Sequence, residues 1–215
     1  MNPEFWNRKF NTHKKALYGI QPNRYFQSQL DQLNPGTLLV PACGQGRDAL
    51  YAAEKGHRVI AADYSNTAVR QTRDLARRQR LNVKVMHGDL RYLILPKYHF
   101  DAAALIFAHF PPENRKEIHQ KIIESLKPGG VMILQGFTKE QLNQKSGGPN
   151  SADMLFDRQM LMEDFAQLTD LQIEEVTETL DEGKGHSGVS KLIQLKGKKP
   201  AQDLFGHNPT TTQNN

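Results

Sequence analysis

Residues 37–63 read TLLVPACGQGRDALYAAEKGHRVIAAD, and the fold of the chain follows from this stretch. An apolar run at 37–42 leads through a glycine-containing loop into a helical stretch at 46–55, and a second apolar run follows at 58–63. Short apolar runs bounded by turn residues are typical of buried strands. A helix between two such strands makes a right-handed crossover, so we predict parallel strands with the loop at the carboxyl end of the first.

The same alternation continues along the chain. Further strands are predicted at 83–87, 100–107 and 131–136, and further helices at 66–80, 112–126 and 157–168. Two β-type runs close the pattern, at 171–180 and 189–195, and the turn between them at 181–188 is too short for a crossover helix. We therefore expect an α/β fold with a doubly wound, seven-stranded sheet that is mostly parallel and ends in an antiparallel hairpin.

The length of 215 residues suits one domain, which we assign to residues 1–199. Residues 1–33 precede the first strand and are predicted to form two short helices around a turn at 19–22, which we expect to act as a helical lid. The final segment, 200–215, ends HNPTTTQNN and is expected to be a disordered tail.

Composition excludes several classes of protein. The hydrophobic fraction of 38% is enough for a core, and the net charge of +5 is mildly basic. Cys43 is the single cysteine, so no internal disulfide can form, which fits a reducing compartment. No stretch approaches the roughly 20 apolar residues that span a bilayer. We expect a cytoplasmic protein with no membrane partner and no metal site, and the oligomeric state stays open.

The loop after the first strand has the features of a ligand-binding turn. Gly44 and Gly46 permit a tight turn and let a ligand approach backbone amides at a helix N-terminus. With Ala49 they also satisfy the G-x-G-x-x-A dinucleotide pattern, so a plain turn, an NAD site and an S-adenosylmethionine (SAM) site all stay open. Asp63 ends the second strand, where its carboxylate can accept both ribose hydroxyls of an adenosine or assist a helix cap at Ser65.

A second acid favours SAM over NAD. The third strand ends in Gly88-Asp89-Leu90, which places a carboxylate that can accept an adenine amine, with Leu90 against the ring. Asp48, in the first turn of the predicted helix, opposes a diphosphate but tolerates a sulfonium and an ammonium, although Arg47 offsets part of its charge. A dehydrogenase also needs a substrate domain, for which no sequence remains.

The motifs PACGQGRD, VIAADYS, MHGDL, FDAAALIF and LKPGG resemble those of class I SAM-dependent methyltransferases over residues 36–135. The resemblance implies that the glycine loop holds the methionine part of SAM, Asp63 the ribose and Asp89 the adenine. Val40 stands where the family usually has an acid, and Ala42 stands at its first glycine. The cofactor-binding set implied by the resemblance and the loop pattern is Ala42, Cys43, Gly44, Gly46, Arg47, Asp63, Tyr64, Ser65, Gly88, Asp89, Leu90 and Phe107.

A narrower resemblance covers nearly the whole chain. Pro41-Ala42-Cys43-Gly44 looks like the Pro-Leu-Cys-Gly loop of thiopurine-methyltransferase-like proteins. The opening FWNRKF and YGIQPN, the loop SGGPNS and the closing DEGKGHSGVSKLIQLKGKKP look like small bacterial methyltransferases of the tellurite-resistance type. This branch implies a small-molecule methyl acceptor, such as a thiol or a chalcogen compound.

Three segments follow strand ends at the predicted ligand edge: 108–112, 146–150 and 183–188. They contain His109 and His186, our two candidate catalytic residues, because an imidazole can take a thiol proton or pair with an anionic oxyacid near neutral pH. Either histidine can instead be structural. Trp6 and Tyr18 can close over a cofactor or pack in the core, and Cys43 is expected to be a packing residue.

Two other functions stay open. A nucleic-acid methyltransferase is the first, because arginines crowd the predicted helix at 66–80, although a solvated outer face explains them better. The fourth strand is not followed by an Asn/Asp-Pro-Pro-aromatic motif that would orient a base amine, so a nucleic-acid partner is disfavoured. The second is a SAM-binding partner subunit without catalysis, which the changes at Val40 and Ala42 motivate.

Overall fold

The computed structural model describes residues 2–12 and 16–201, so nearly all of the predicted tail lies outside the described residues. The strands are β1 Thr37–Pro41, β2 Arg58–Asp63, β3 Val83–His87, β4 Phe100–Ile106, β5 Leu126–Phe137, β6 Thr169–Glu182 and β7 His186–Lys198. The α-helices are α1 Pro3–Asn11, α2 Arg24–Leu30, α3 Arg47–Glu54, α4 Asn66–Gln79, α5 Pro112–Ser125 and α6 Arg158–Asp164. Within the described ranges, none of these helices is long and apolar enough to cross a membrane.

The strands form one seven-stranded sheet in the order β3-β2-β1-β4-β5-β7-β6. The first five are parallel, and β7 is antiparallel to both β5 and β6. Strand β6 therefore runs in the same direction as the first five, and the predicted doubly wound sheet with a terminal hairpin is confirmed. The strand order reverses between β1 and β4, which is where an open α/β sheet leaves a crevice for ligands.

Helices cover both faces of the sheet. One apolar cluster joins α2, α3 and α4 to the sheet, and its buried members include Phe26, Ala49, Val69, Leu38 and Val40. The cluster on the other face joins α5 and α6 to the sheet through Ile122, Leu161, Leu39, Phe100 and Met132. Residues 38, 39 and 40 of β1 thus alternate between two buried faces, which explains why the strand is apolar throughout.

Several predicted boundaries were wrong. The helix predicted at 157–168 is α6, which ends at Asp164 because Phe165 leaves the helical region and its ring is buried in the core. Strand β5 begins at Leu126 rather than at 131, and a register shift between Phe100 and Ala102 of β4 accommodates the extra residues. Strands β1 and β4 each end one residue early, because Ala42 and Phe107 have φ of 51° and 53°.

The terminal hairpin is longer than predicted, and its turn is shorter. Cross-strand pairing continues through Asp181↔Ser187 and Glu182↔His186, so the turn is only 183–185 rather than 181–188. Residues paired directly across an antiparallel ladder have neighbouring side chains. The longer pairing therefore brings Glu182 beside His186.

Candidate functional site

A cavity of about 760 Å³ opens at the carboxyl ends of the strands, at the reversal between β1 and β4. Its volume is in the range of roughly 300–1,000 Å³ typical of small-molecule sites. Every residue of the predicted cofactor-binding set lines it except Gly46 and Ser65, and both candidate histidines line it too. The fold thus brings together residues that are up to 144 positions apart, from Ala42 to His186.

The glycine loop forms one wall of this cavity. A Cβ on Gly46, which has φ of 88°, would lie 2.5 Å from Cγ2 of Thr72, so a side chain there would collide with α4. The Cys43 thiol donates to the Gly44 carbonyl oxygen at 3.7 Å. Burial raises the pKa of this thiol well above its ordinary value, so it stays protonated and suits the packing role expected for it.

Asp63 connects the loop to the next helix. Its Oδ2 accepts from the Gly44 amide at 2.8 Å, and its Oδ1 accepts from the Ser65 amide at 2.8 Å. Burial raises the pKa of this carboxyl, and the two amides partly counteract it. Because each carboxylate oxygen can accept more than one hydrogen bond, Asp63 can support the turn and still accept ribose hydroxyls from the cavity.

Two other members of the predicted set differ in their surroundings. Ser65 is fully buried and caps α4, because its hydroxyl accepts from the Ala68 amide at 3.2 Å and donates to Asn7 Oδ1 at 2.7 Å. The prediction that Ser65 contacts the cofactor is therefore corrected to a capping role. Asp89 does line the cavity, where hydrogen bonds from Arg91 lower the pKa of its carboxyl and keep it an ionised acceptor.

Arg47 is engaged with the protein rather than free in the cavity. Its guanidinium donates to Glu182 Oε2 at 2.8 Å and to the Tyr18 carbonyl oxygen at 2.7 Å. Sequence reasoning missed Glu182 because it fell inside the predicted turn. The sequence does contain a sign of this pair: Glu182 lies four residues before His186, and Gly-Lys-Gly separates them. A tight hairpin turn at these three residues pairs Glu182 directly with His186.

His186 lies between this carboxylate and three aromatic rings. Its Nδ1 is 3.4 Å from Glu182 Oε2, and its ring centroid is 4.4 Å from that of Tyr18, 4.3 Å from that of Phe107 and 5.1 Å from that of Phe137. An ionised carboxylate only accepts, so Nδ1 carries the proton and Nε2 keeps its lone pair. Burial lowers the pKa of His186 more than Glu182 raises it, so the ring is neutral at neutral pH.

Two glycines allow the close packing around this histidine. A Cβ on Gly147 would lie 2.6 Å from His186 Cδ2, and a Cβ on Gly185 would lie 2.2 Å from Tyr18 Cε1. Contacts below about 3 Å are not tolerated in a packed interior, so larger residues at these positions would displace both rings. The loop at 146–150 and the hairpin turn therefore meet at His186 because both have bare backbone there.

His109 has a structural arrangement. Its Nδ1 is 2.8 Å from the Met154 carbonyl oxygen, and its Nε2 accepts from the Phe137 amide at 3.1 Å. Burial lowers its pKa to about 4, and its ring stacks on Phe156 with centroids 4.5 Å apart. Both nitrogens are occupied by backbone groups, so the expectation that His109 serves as a base is corrected: the residue joins β5 to the segment at 154.

The N-terminal segment covers the cavity. Trp6, Phe10 and Tyr18 all line it, and Trp6 stacks on Phe10 with ring centroids 5.5 Å apart. Phe10 also packs with Ala68 of α4 in a small apolar cluster. The rings of Trp6 and Tyr18 therefore both pack on the fold and face the cavity.

The polar and aromatic groups that line this cavity fit SAM. Asp63 and Asp89 offer acceptors for a ribose and an adenine, and the glycine loop offers backbone groups for the amino-acid end. Aromatic rings attract a positive charge placed over their faces, so the rings at positions 6, 10, 18 and 107 suit a cationic sulfonium. A dinucleotide would instead bring a diphosphate near Asp48, which is buried at this wall.

Comparisons with known proteins agree with this chemistry. A family profile described as "Methyltransferase domain" matches residues 39–130. The thiopurine S-methyltransferase of Shewanella woodyi is 27% identical over 171 residues, which cover 66% of this chain and 75% of that protein.

Two solved structures show the same fold. One, described as "Conversion of a Disulfide Bond into a Thioacetal Group during Echinomycin Biosynthesis", has a TM-score of 0.75 and 17% identity and covers 94% of this chain and 93% of its own. The other is TehB from Haemophilus influenzae, with a TM-score of 0.69 and 17% identity, covering 92% of this chain and 66% of its own.

The fold, the cavity and the profile match to residues 39–130 together support a SAM-dependent methyltransferase of the class I type, with SAM as its cofactor. Within that class it is similar to the thiopurine S-methyltransferases in sequence and to TehB in structure. The dehydrogenase alternative is thereby set aside.

Proposed function

We propose that this enzyme, acting in the cytoplasm, methylates a small soft nucleophile, either a thiol or a chalcogen compound. The observation that carries the proposal is the state of His186, which lines the cavity with Nδ1 on Glu182. Among the described residues, no hydrogen bond occupies Nε2. The surrounding wall of aromatic rings and glycine backbone suits a small polarisable acceptor. The thiopurine S-methyltransferase relatives support a sulfur acceptor.

The protein itself has to carry out one proton transfer in this reaction. Bound SAM supplies an electrophilic methyl group on a sulfonium that leaves as a neutral thioether. His186 Nε2 takes the S–H proton of the acceptor as the acceptor sulfur bonds to the methyl carbon, and the imidazolium later releases that proton to water. Burial keeps the pKa of His186 below its usual value, so the ring is in its basic form at neutral pH.

A nucleic-acid acceptor is the second candidate, and the surface gives it little support. Arg70, Arg77 and Arg78 are exposed on α4, and Arg80, which caps the C-terminal end of this helix, is exposed as well. Arg73 is also exposed, but its guanidinium donates to the Val85 carbonyl oxygen at 2.8 Å. This pattern is a solvated outer face, as expected from the sequence.

The N-terminal segment belongs to the same proposal. We propose that residues 1–199 act as one methyltransferase domain in which residues 1–33 close over bound SAM as a lid. The described part of this segment supports a lid, because Trp6, Phe10 and Tyr18 form part of the cavity wall.

The test of the proposed function is His186→Gln, which keeps a polar side chain of similar size. With a thiol acceptor we expect SAM affinity within about twofold of wild type and turnover lower by roughly 100-fold or more, the low end for a general base. His99→Gln is the matched control, because His99 is exposed just before β4, at the opposite end of the sheet. Wild-type turnover in His186→Gln would contradict the proposal.

A further inference from the structure

Glu182 collects hydrogen bonds from three separate elements. Asn23, the N-cap of α2, donates from Nδ2 to Oε1 at 2.9 Å, and Arg47, the first residue of α3, donates from Nη2 to Oε2 at 2.8 Å. His186, the first residue of β7, places Nδ1 3.4 Å from the same Oε2. The carboxylate is mostly buried, so these contacts are only weakly screened by solvent.

We propose that Glu182 is a positioning residue for His186: it keeps the imidazole proton on Nδ1, directs the Nε2 lone pair to the cavity and balances the charge when Nε2 takes a proton. The inference rests on the proposed function, in which His186 is the base. Because Arg47 follows the glycine loop directly, the same carboxylate also connects the cofactor loop to the base.

The charges around His186 make this role necessary. Lys9 of α1 and Arg47 of α3 are both cationic and disfavour an imidazolium, as does burial. Glu182 favours the imidazolium through both its hydrogen bond and its negative charge. His109 also faces the ring, because the charge of His186 contributes to lowering the pKa of His109. Burial alone would raise the pKa of Glu182, but hydrogen bonds from His186 and Arg47 outweigh it and hold the pKa below its ordinary value. Glu182 is therefore ionised at neutral pH.

A purely structural tie between the hairpin and α3 is the competing explanation. The His186 pKa in Glu182→Gln separates the two, because the amide keeps the size of the side chain but loses the charge that favours the imidazolium. Both oxygens of the Glu182 carboxylate now face donors, from Asn23, Arg47 and His186. A glutamine amide has one acceptor oxygen and one donor nitrogen, so it can replace only one of these oxygens as an acceptor.

The experiment is a nitrogen-15 NMR titration of the His186 imidazole, which needs neither SAM nor turnover. We expect Glu182→Gln to lower the His186 pKa by about one unit, the low end for removing a charge at this distance. Glu178→Gln is the matched control, because Glu178 lies on the same strand and receives a hydrogen bond from Gln194. It is expected to leave the His186 pKa unchanged.

Kinetics supply the second readout. The acid limb of the kcat profile against pH should move with the His186 pKa in Glu182→Gln, while the KM for SAM stays within about twofold. If turnover is lower at every pH and the His186 pKa is unchanged, Glu182 only connects the hairpin to α3 and the proposal is wrong.

The wild-type spectrum tests the inference even if the variant fails to fold. Its neutral ring is expected to carry the proton on Nδ1, and a proton on Nε2 would contradict the proposal. Failure of the proposed function has a separate signature, which is retained turnover in His186→Gln.

Discussion

Ala42 and Phe107 end two neighbouring strands of the site in the left-handed conformation, with φ of 51° and 53°. This conformation costs a residue with a Cβ about 1–2 kcal/mol, and it persists where packing holds it. The Phe107 amide donates to the Gln135 carbonyl oxygen at 2.7 Å, and its ring packs on Phe137 and His186. At the position of Ala42 the wider class I loop has glycine, which adopts this conformation without strain, whereas the thiopurine-methyltransferase-like loop has leucine.

Ala42→Gly is therefore expected to stabilise the protein. Relief of the left-handed strain exceeds the added freedom of the unfolded chain, so the free energy of unfolding should rise by roughly 0.5–1 kcal/mol. Ala53→Gly, inside α3, is the control and should lose about 1 kcal/mol. Chemical denaturation measures both, and a lower stability in Ala42→Gly would mean that its methyl group is needed in the cavity wall.

The buried ring of His109 makes stability depend on pH. Its pKa is lowered to about 4 in the folded protein, whereas an unfolded histidine has about 6.5, so the unfolded state binds more protons between these values. Stability therefore falls as the pH drops through this window, by up to about 3 kcal/mol from this residue.

His109→Gln removes that contribution. The stability advantage of wild type over the variant should shrink by about 3 kcal/mol between pH 7 and pH 4, while the other histidines cancel in the comparison. Denaturation midpoints at several pH values measure the difference. Parallel stability curves for the two proteins would show that His109 titrates alike in the folded and unfolded states, which would contradict its lowered pKa.

Residue-level prediction succeeded where a residue's role depends on the end of a strand. Asp63 ends β2 and Asp89 lies two residues after β3, so the alternating pattern alone placed them at the cavity. It failed where the role depends on register. The role of Glu182 was not predicted, because it depends on the strand pairing that extends to Glu182↔His186. Such a register is set by long-range packing rather than by the local sequence pattern.

Among the helices and strands, α1 has the position that was hardest to predict from the sequence. Its sequence indicates a helix, with Asn2 as its N-cap and Pro3 in its first turn, but not where the helix packs. The structure places it beside α4, where Trp6 and Phe10 face the cavity. Element bounds were predicted well where caps are local, as at Ser65, and poorly where tertiary packing ends an element, as at Phe165 of α6.

Trp6 makes the proposed lid measurable, because it is the only tryptophan of the chain. Binding of SAM should change its fluorescence in a saturable way, since ligand contact alters the polarity around the indole. Trp6→Phe should lose this signal and bind SAM several-fold more weakly, because a smaller ring covers less of the ligand. Calorimetry supplies the affinity independently, and an unchanged emission during calorimetrically observed binding would mean that α1 does not close over SAM.

The position of the cavity depends on one feature of the sheet topology, the reversal of strand order. The strand order reverses between β1 and β4, so the loops after these strands separate and leave the cavity between them. The hairpin of β6 and β7 then returns to the same edge because β6 runs in the direction of the first five strands. This arrangement brings the glycine loop and the hairpin turn to the same cavity.

The most direct test of methyl transfer to a small soft acceptor is mass spectrometry after incubation with SAM carrying a deuterated methyl group. The mixture contains a small thiol and nucleic acid from the same cells. We predict that the thiol gains one deuterated methyl group and that one S-adenosylhomocysteine forms for each thiol consumed. Label found on nucleic acid and released by nuclease, with the thiol unchanged, would contradict it.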